Sequence, residues 1–242
     1  MKKKIIAIAL VACLALIAIA GASLAYFTDT DNATNVFTSG KVDITLNEVF
    51  DEEKAQLIPG VDIQKDVTIS LSQDSVESYV WYTYAIPAIL DSDDASKNII
   101  HVNHAGRNWL GYQNTEKYWA EGQTAATPED QCWIVDYEVE KNVEIDGVKY
   151  NVYTVLYNGT LDAGEETTIG MTKVYCDTKV DYDNEKGVYT LYGEDIGFDL
   201  NNVKIIVTAY GIQAATFDSV QKAYEAYNAQ MAELPANAVD ID

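Results

Sequence analysis

The chain has 242 residues, with 16 Lys and Arg against 38 Asp and Glu, two His, three Cys and 48% apolar residues, giving a formal net charge of -22. An acid excess of this size repels phosphate backbones and anionic membrane surfaces alike, which argues against nucleic acid or acidic lipid as a partner. The apolar fraction is too large for a disordered acidic tail, and the length suits one large or two small domains.

Lys2, Lys3 and Lys4 precede an uncharged apolar run from Ile5 to Ala22, followed by Ser23-Leu24-Ala25. Small residues at Ser23 and Ala25 place a cut before Tyr26, so residues 1–25 read as a secretory signal peptide. Two competing readings are an uncleaved anchor, because the run is just long enough to span, and a lipobox at Leu10-Val11-Ala12-Cys13. The apolar run continues well past Cys13, which disfavours lipidation. Cleavage removes three lysines and no acids, leaving 13 basic against 38 acidic residues, or -25. The mature chain keeps Cys132 and Cys176 in an oxidising compartment, where a disulfide between them is permitted if their spacing in the fold allows it.

From Val42 onward apolar residues recur at period two. Val42, Ile44 and Leu46 form one predicted strand and Val67, Ile69 and Leu71 another. Tyr79 to Ile89 and Trp133 to Val139 follow, then Val143 to Leu156 interrupted by Asp146-Gly147, a strong hairpin signal because both turn positions need positive φ. Further strands are expected at Thr167 to Tyr175, Val188 to Tyr192 and Val203 to Ile212. This pattern predicts an all-β, jelly-roll-like β-sandwich. Asp91 to Asp130, with both histidines and two of the four tryptophans, is expected as a long excursion between strands. At the end, Phe217, Val220, Tyr224, Tyr227 and Met231 share one face of a short amphipathic helix over residues 217–232, with Asp218 and Gln221 as its N-cap pair.

His101 and His104 are the candidate zinc ligands, but their spacing is three, no Glu lies between them, and on a strand they face opposite sides. No Ser sits in a Gly-x-Ser-x-Gly turn and neither mature Cys has a His at short range, so nucleophilic hydrolysis has no signal. A glycosidase-type carboxylate pair stays open among so many acids. Asp181, Asp183 and Glu185 before Gly187 offer hard oxygens for calcium, as do Asp29 with Asp31 and Asp91 with Asp93; a solvated hairpin turn is the plainer reading of Asp181 to Gly187. The abundant Tyr and Trp suit either a sugar-stacking platform or a sandwich core. Asn32-Ala33-Thr34 and Asn158-Gly159-Thr160 match glycosylation sequons, which arise readily by chance.

Ser23-Leu24-Ala25-Tyr26-Phe27-Thr28-Asp29, followed by Asn35 to Ile44 with Phe37-Thr38-Ser39-Gly40-Lys41 at its centre, resembles the amino-terminal signature of the TasA and camelysin family. The resemblance continues through Leu57-Ile58-Pro59-Gly60, Leu161 to Thr168 and Val207 to Phe217, and is weakest over Asp91 to Asp130. It implies export by a SipW-type signal peptidase, a bacterial cell-surface or extracellular location, and assembly into biofilm matrix fibres. In that family an amino-terminal strand freed by processing completes the sheet of the next subunit. By that resemblance the strand would run roughly from Tyr26 to Phe37 within the processed segment 26–40, with Tyr26, Phe27, Val36 and Phe37 as anchors, ahead of a sandwich domain over 41–242. The camelysin branch is named for metallopeptidase activity, but no catalytic motif matches residue by residue. The expectation is therefore a secreted, self-assembling structural protein without enzymatic activity, needing no cofactor beyond a calcium ion at most, and with no membrane span after processing. The alternatives are a camelysin-like metal-dependent surface endopeptidase and a carbohydrate-binding surface module.

Overall fold

The structure is a computed structural model and describes residues 28–30, 41–51, 56–105, 109–112 and 129–233. The signal-peptide residues Ser23, Ala25 and Tyr26 and the strand anchors Tyr26, Phe27, Val36 and Phe37 lie outside the described residues.

The strands in chain order are β1 (Thr28–Thr30), β2 (Ile44–Val49), β3 (Asp62–Gln64), β4 (Asp66–Leu71) and β5 (Ser78–Pro87), then β6 (Ile100–His104), β7 (Trp109–Tyr112), β8 (Trp133–Ile145) and β9 (Val148–Leu161). They continue with β10 (Met171–Cys176), β11 (Val180–Asp183), β12 (Val188–Leu191), β13 (Glu194–Asp195) and β14 (Ile206–Gln213), and the helix α1 (Val220–Glu233) ends the described chain. One layer is a sheet in the order β1-β14-β5-β9-β8-β7, antiparallel except for the parallel β7–β8 pair. The facing layer is built from the β2–β4 pair and the sheet β3-β10-β6. The segment preceding β10 joins them: Thr167 N–H donates to the Ile69 carbonyl at 2.9 Å, Gly170 N–H to Val67 at 2.9 Å, and Lys65 N–H to Thr172 at 3.0 Å. Strands β11, β12 and β13 form a separate small meander.

Two apolar clusters hold this arrangement, one on each face of β5. Val80, Tyr82, Tyr84 and Ile86 point between the layers, where they join Val67, Ile69, Leu71, Trp133 and Met171. Tyr79 and Trp81 point the other way, into a cluster with Ile134, Leu156, Ile212, Val220, Ala223, Tyr224 and Tyr227. Alternation along an extended strand sends odd and even residues to opposite faces, so a strand covered on both sides reads as the continuous apolar run seen here. Trp81 anchors the helix side: its ring stacks on Tyr210 at 5.9 Å and meets Tyr224 and Tyr227 edge-on at 5.6 and 5.1 Å.

The predicted β-sandwich with a C-terminal helix is thus the fold. The Asp146-Gly147 hairpin forms as expected, with φ of 50° and 77° at the two turn residues. Within the stretch 91–130 the structure places β6, paired with β10, and β7, paired with β8; residues 106–108 and 113–128 lie outside the described residues. The helix cap is one residue later than the Asp218–Gln221 pair predicts. The Ser219 carbonyl accepts the Ala223 N–H at 3.1 Å and its hydroxyl accepts the Lys222 N–H at 3.4 Å, so Ser219 takes the cap position. Among the described residues no helix is long and apolar enough to cross a membrane.

Because Trp81 is 1% exposed and makes three aromatic contacts, Trp81→Ala is expected to reduce unfolding free energy by about 3–5 kcal/mol in urea titrations. Ile89→Ala, at a position 54% exposed, should stay within about 0.5 kcal/mol of the parent.

Candidate functional site

The inward face of the large sheet carries a polar cluster where periodicity alone calls for core. Strand β8 slips its register against β9 between Ile134 and Glu138, and Asp136 inside that bulge has a φ of 48°. Bulges re-aim side chains, and this one sets the Asp136 carboxylate against β5, where Tyr84 O–H donates to Oδ1 at 2.6 Å. The Tyr84 ring stacks on Tyr153 of β9 with centroids 4.9 Å apart and planes 6° from parallel. Tyr153 O–H in turn donates to Oδ2 of Asp91, a buried residue just after a one-turn 3-10 helix over Ala88–Leu90. Asn151 Nδ2 donates to the Asp91 carbonyl at 2.9 Å and to its Oδ2 at 2.7 Å. Lys141 Nζ lies 3.6 Å from Asp91 and 3.4 Å from Asp93, and 5.4 Å from the Tyr153 ring centroid.

His104 on β6 closes the other side. Its Nδ1 is 3.5 Å from the Tyr82 hydroxyl and its ring is 5.8 Å from that of Tyr84. Burial pushes the imidazole down to about 4, so the ring is neutral at physiological pH and can accept the Tyr82 proton. Burial pushes the Asp136 carboxyl up to about 6; the Tyr84 hydrogen bond opposes that rise, Asp91 adds to it and Lys141 opposes it. Burial also raises the Tyr82 and Tyr84 hydroxyls well above their usual range, so both remain donors. The cluster therefore holds one carboxyl that takes up a proton near pH 6 beside one imidazole that refuses it. Sequence reasoning passed over Asp136 and Lys141. Asp136 falls at a polar position of the Val135 to Val139 alternation, so the sequence pattern carried no signal that it turns inward.

The two histidines are not brought together. His101 stacks on Tyr175 at 4.8 Å and its Nε2 lies 3.0 Å from Asp177 Oδ2, whereas His104 faces Tyr82 and Tyr84. Strand geometry separates residues three apart onto opposite faces. Asp181 and Asp183 end up on β11, where the Asp183 carboxylate accepts the Glu185 and Lys186 N–H groups at 3.0 and 3.1 Å and pairs with Lys186 Nζ at 2.9 Å. Cys132 and Cys176 are buried in different apolar clusters and are not bonded to each other, so the structure does not contain the disulfide the sequence permits. Trp81 and Trp133 are buried and cannot serve a sugar-stacking platform.

A family model described as camelysin metallo-endopeptidase matches residues 1–78. No curated protein matches the chain. No solved structure matches it either. The matched third takes in β1 to β4 and reaches the first residue of β5. This match overturns the expectation that the chain is not an enzyme, which rested on the lack of a local catalytic motif. A metal centre can be assembled by the fold from residues distant in sequence, so motif absence was a weak ground. Among the described residues, however, no three His, Cys, Asp or Glu side chains come together as a metal would require. The described residues do not by themselves make up a zinc centre.

The signs of the two shifted groups give a specific pH dependence. A carboxyl raised to about 6 favours the folded state as pH falls from 6 towards 3.8, because the folded chain then holds a proton the unfolded chain lacks. An imidazole lowered to about 4 acts oppositely as pH falls from 6.5 to 4, so the two contributions, each on the order of 3 kcal/mol at most, largely cancel. Asp136→Asn is expected to be more stable than the parent at pH 7.5, by about 1–3 kcal/mol, and to lose that advantage by pH 4.5. Paired urea titrations at the two pH values measure the difference directly.

Proposed function

We propose that the chain is an exported, camelysin-like surface endopeptidase carried on an acidic β-sandwich. The observation that supports this reading is the camelysin metallo-endopeptidase match over residues 1–78, which covers the predicted leader and the first strands behind it. The basic, apolar and small-residue layout of residues 1–25 supports export. In the assay, chain lacking residues 1–25 is incubated with casein, with and without a chelator, and its bound zinc is measured by elemental analysis. Chelator-sensitive cleavage with stoichiometric metal is the expected result. A chain that binds no zinc and leaves casein intact would overturn the reading.

A second reading, of a biofilm matrix fibre subunit, is favoured by one separate observation. Strand β1 lies at the β14 edge of the large sheet, with Thr28 opposite Ile212 and Thr30 opposite Tyr210. An amino-terminal strand at a sheet edge can be exchanged for the equivalent segment of a neighbouring subunit, which is strand donation after leader removal. At -25 such subunits repel one another until salt screens them, cations such as calcium bridge them or acid neutralises them. Filaments seen by negative stain should lengthen with added salt or calcium and disappear when residues 26–37 are deleted. Filaments unchanged by the deletion would remove strand donation.

A further inference from the structure

A cavity of about 780 Å³ opens between β3 and the stretch that leads into β14, well apart from the His104–Asp136 cluster. Its walls combine apolar and polar surface, the apolar part supplied by Phe50, Leu57, Ile58, Ile63, Val203 and Ile205. Several large apolar side chains are left in solvent here: Phe50 is 38% exposed and Ile58 50%, with Val49 at 59% and Val61 at 46% beside them in sequence. Exposed apolar side chains at the mouth of a cavity are a common mark of a binding site.

Two further observations say what kind of ligand fits. The first is charge. On a chain with 38 acids the described lining of this groove holds two lysines and no carboxylate. Lys65 is part of the wall, 6% exposed at its side chain, with Nζ 2.9 Å from Glu48 and 4.7 Å over the Phe50 ring. Lys204 is exposed at the rim and has no carboxylate partner among the described residues. The second is backbone. Among the described residues strand β3 pairs only with β10, its other edge taking no strand, and Val203, Lys204 and Ile205 enter no backbone hydrogen bond. Open edges accept an extended chain through its own N–H and C=O groups, something an acyl chain cannot offer.

We propose that this groove binds an extended peptide segment of a partner protein, with apolar side chains seated against Phe50, Ile58 and Ile63 and an acidic side chain on Lys204. The inference rests on neither functional reading above, since binding is measured without cleavage or filaments. The probe is a fluorescein-labelled Val-Thr-Ile-Asp-Val-Thr-Ile-Asp peptide, titrated with chain lacking residues 1–25 and followed by fluorescence anisotropy. Saturable one-to-one binding is expected, weakened about tenfold by Lys204→Glu, preserved in Lys204→Arg and lost in Ile58→Asp. Both positions are exposed, so the thermal midpoints of these variants should match the parent's and separate lost binding from lost folding. A peptide with Lys in place of Asp should bind at least about tenfold more weakly. The proposal is overturned by an absence of saturable binding or by equal affinity for the Lys peptide. It is also overturned if oleate fills the groove while the peptide does not, or if sedimentation shows self-association that Ile58→Asp abolishes with no peptide bound.

Discussion

Burial of β5 on both faces is the constraint on which the rest of the molecule depends. A strand with one wet face needs a single partner layer, but Trp81 and Tyr82 demand cover in opposite directions. The second layer covers the even residues and α1 covers the odd ones. The helix is therefore required by the sheet: without Tyr224 and Tyr227 the Trp81 ring would lose both of its edge-on contacts and face water. A strand so enclosed must also be central, and β5 is held between β14 and β9. That leaves β1 and β7 as the borders of the sheet, so the amino-terminal segment can reach only an edge.

The same enclosure explains the chemistry of the polar cluster. Tyr82 and Tyr84 point into the sandwich because alternation leaves them no choice, and their hydroxyls arrive where water does not. Buried hydroxyls must find partners, and they find His104 and Asp136. The bulge in β8 supplies Asp136 at the cost of a left-handed backbone at a non-glycine residue, a conformation that persists only where surrounding contacts enforce it. Desolvation then does the rest, raising one acid and suppressing one base within a single connected set of aromatic rings.

Much of this architecture was legible in the sequence because its strands alternate cleanly. The Asp146-Gly147 turn and the β4 alternation carry enough local information to set both position and face. What escaped were features whose cause is tertiary. Strands β3 and β6 have no clean apolar alternation of their own, and they and β7 are set by the neighbour that offers a ladder: β10 for β3 and β6, β8 for β7. Asp136 was invisible because a bulge, not a motif, turns it inward. His101 and His104 attracted notice by type and proximity, yet the pleat that separates them could be read directly from their spacing. The groove near Lys204 had no signature at all, because Phe50, Ile63 and Ile205 meet only in the folded chain.

The acidity has a structural use that composition conceals. At five places among the described residues an aspartate carboxylate accepts the N–H two residues ahead: Asp94 from Ser96 at 3.0 Å, Asp177 from Lys179 at 2.9 Å, Asp183 from Glu185 at 3.0 Å, Asp195 from Gly197 at 2.8 Å and Asp199 from Asn201 at 3.0 Å. Each is an Asx turn, the local device that lets a short acidic side chain stand in for a backbone turn. Asp94 and Asp183 are correspondingly held below the usual carboxylate range, the first chiefly by the Ser96 hydroxyl and N–H, the second chiefly by the Lys186 ammonium and N–H. Asp177 ends below it too, because the Lys179 N–H and His101 outweigh a burial effect of opposite sign. These groups favour the folded state while ionised and withdraw that support as acid protonates them below their ordinary range, the reverse of Asp136. Acid therefore acts on this fold in two places: it loosens turns on the surface, and between the layers it relieves the Asp136 carboxyl while the neutral His104 imidazole opposes that gain. A cation competing for Asp183 would have to displace two N–H donors and Lys186, so the alternation of acids along Asp181 to Glu185 is already explained by the turn it builds.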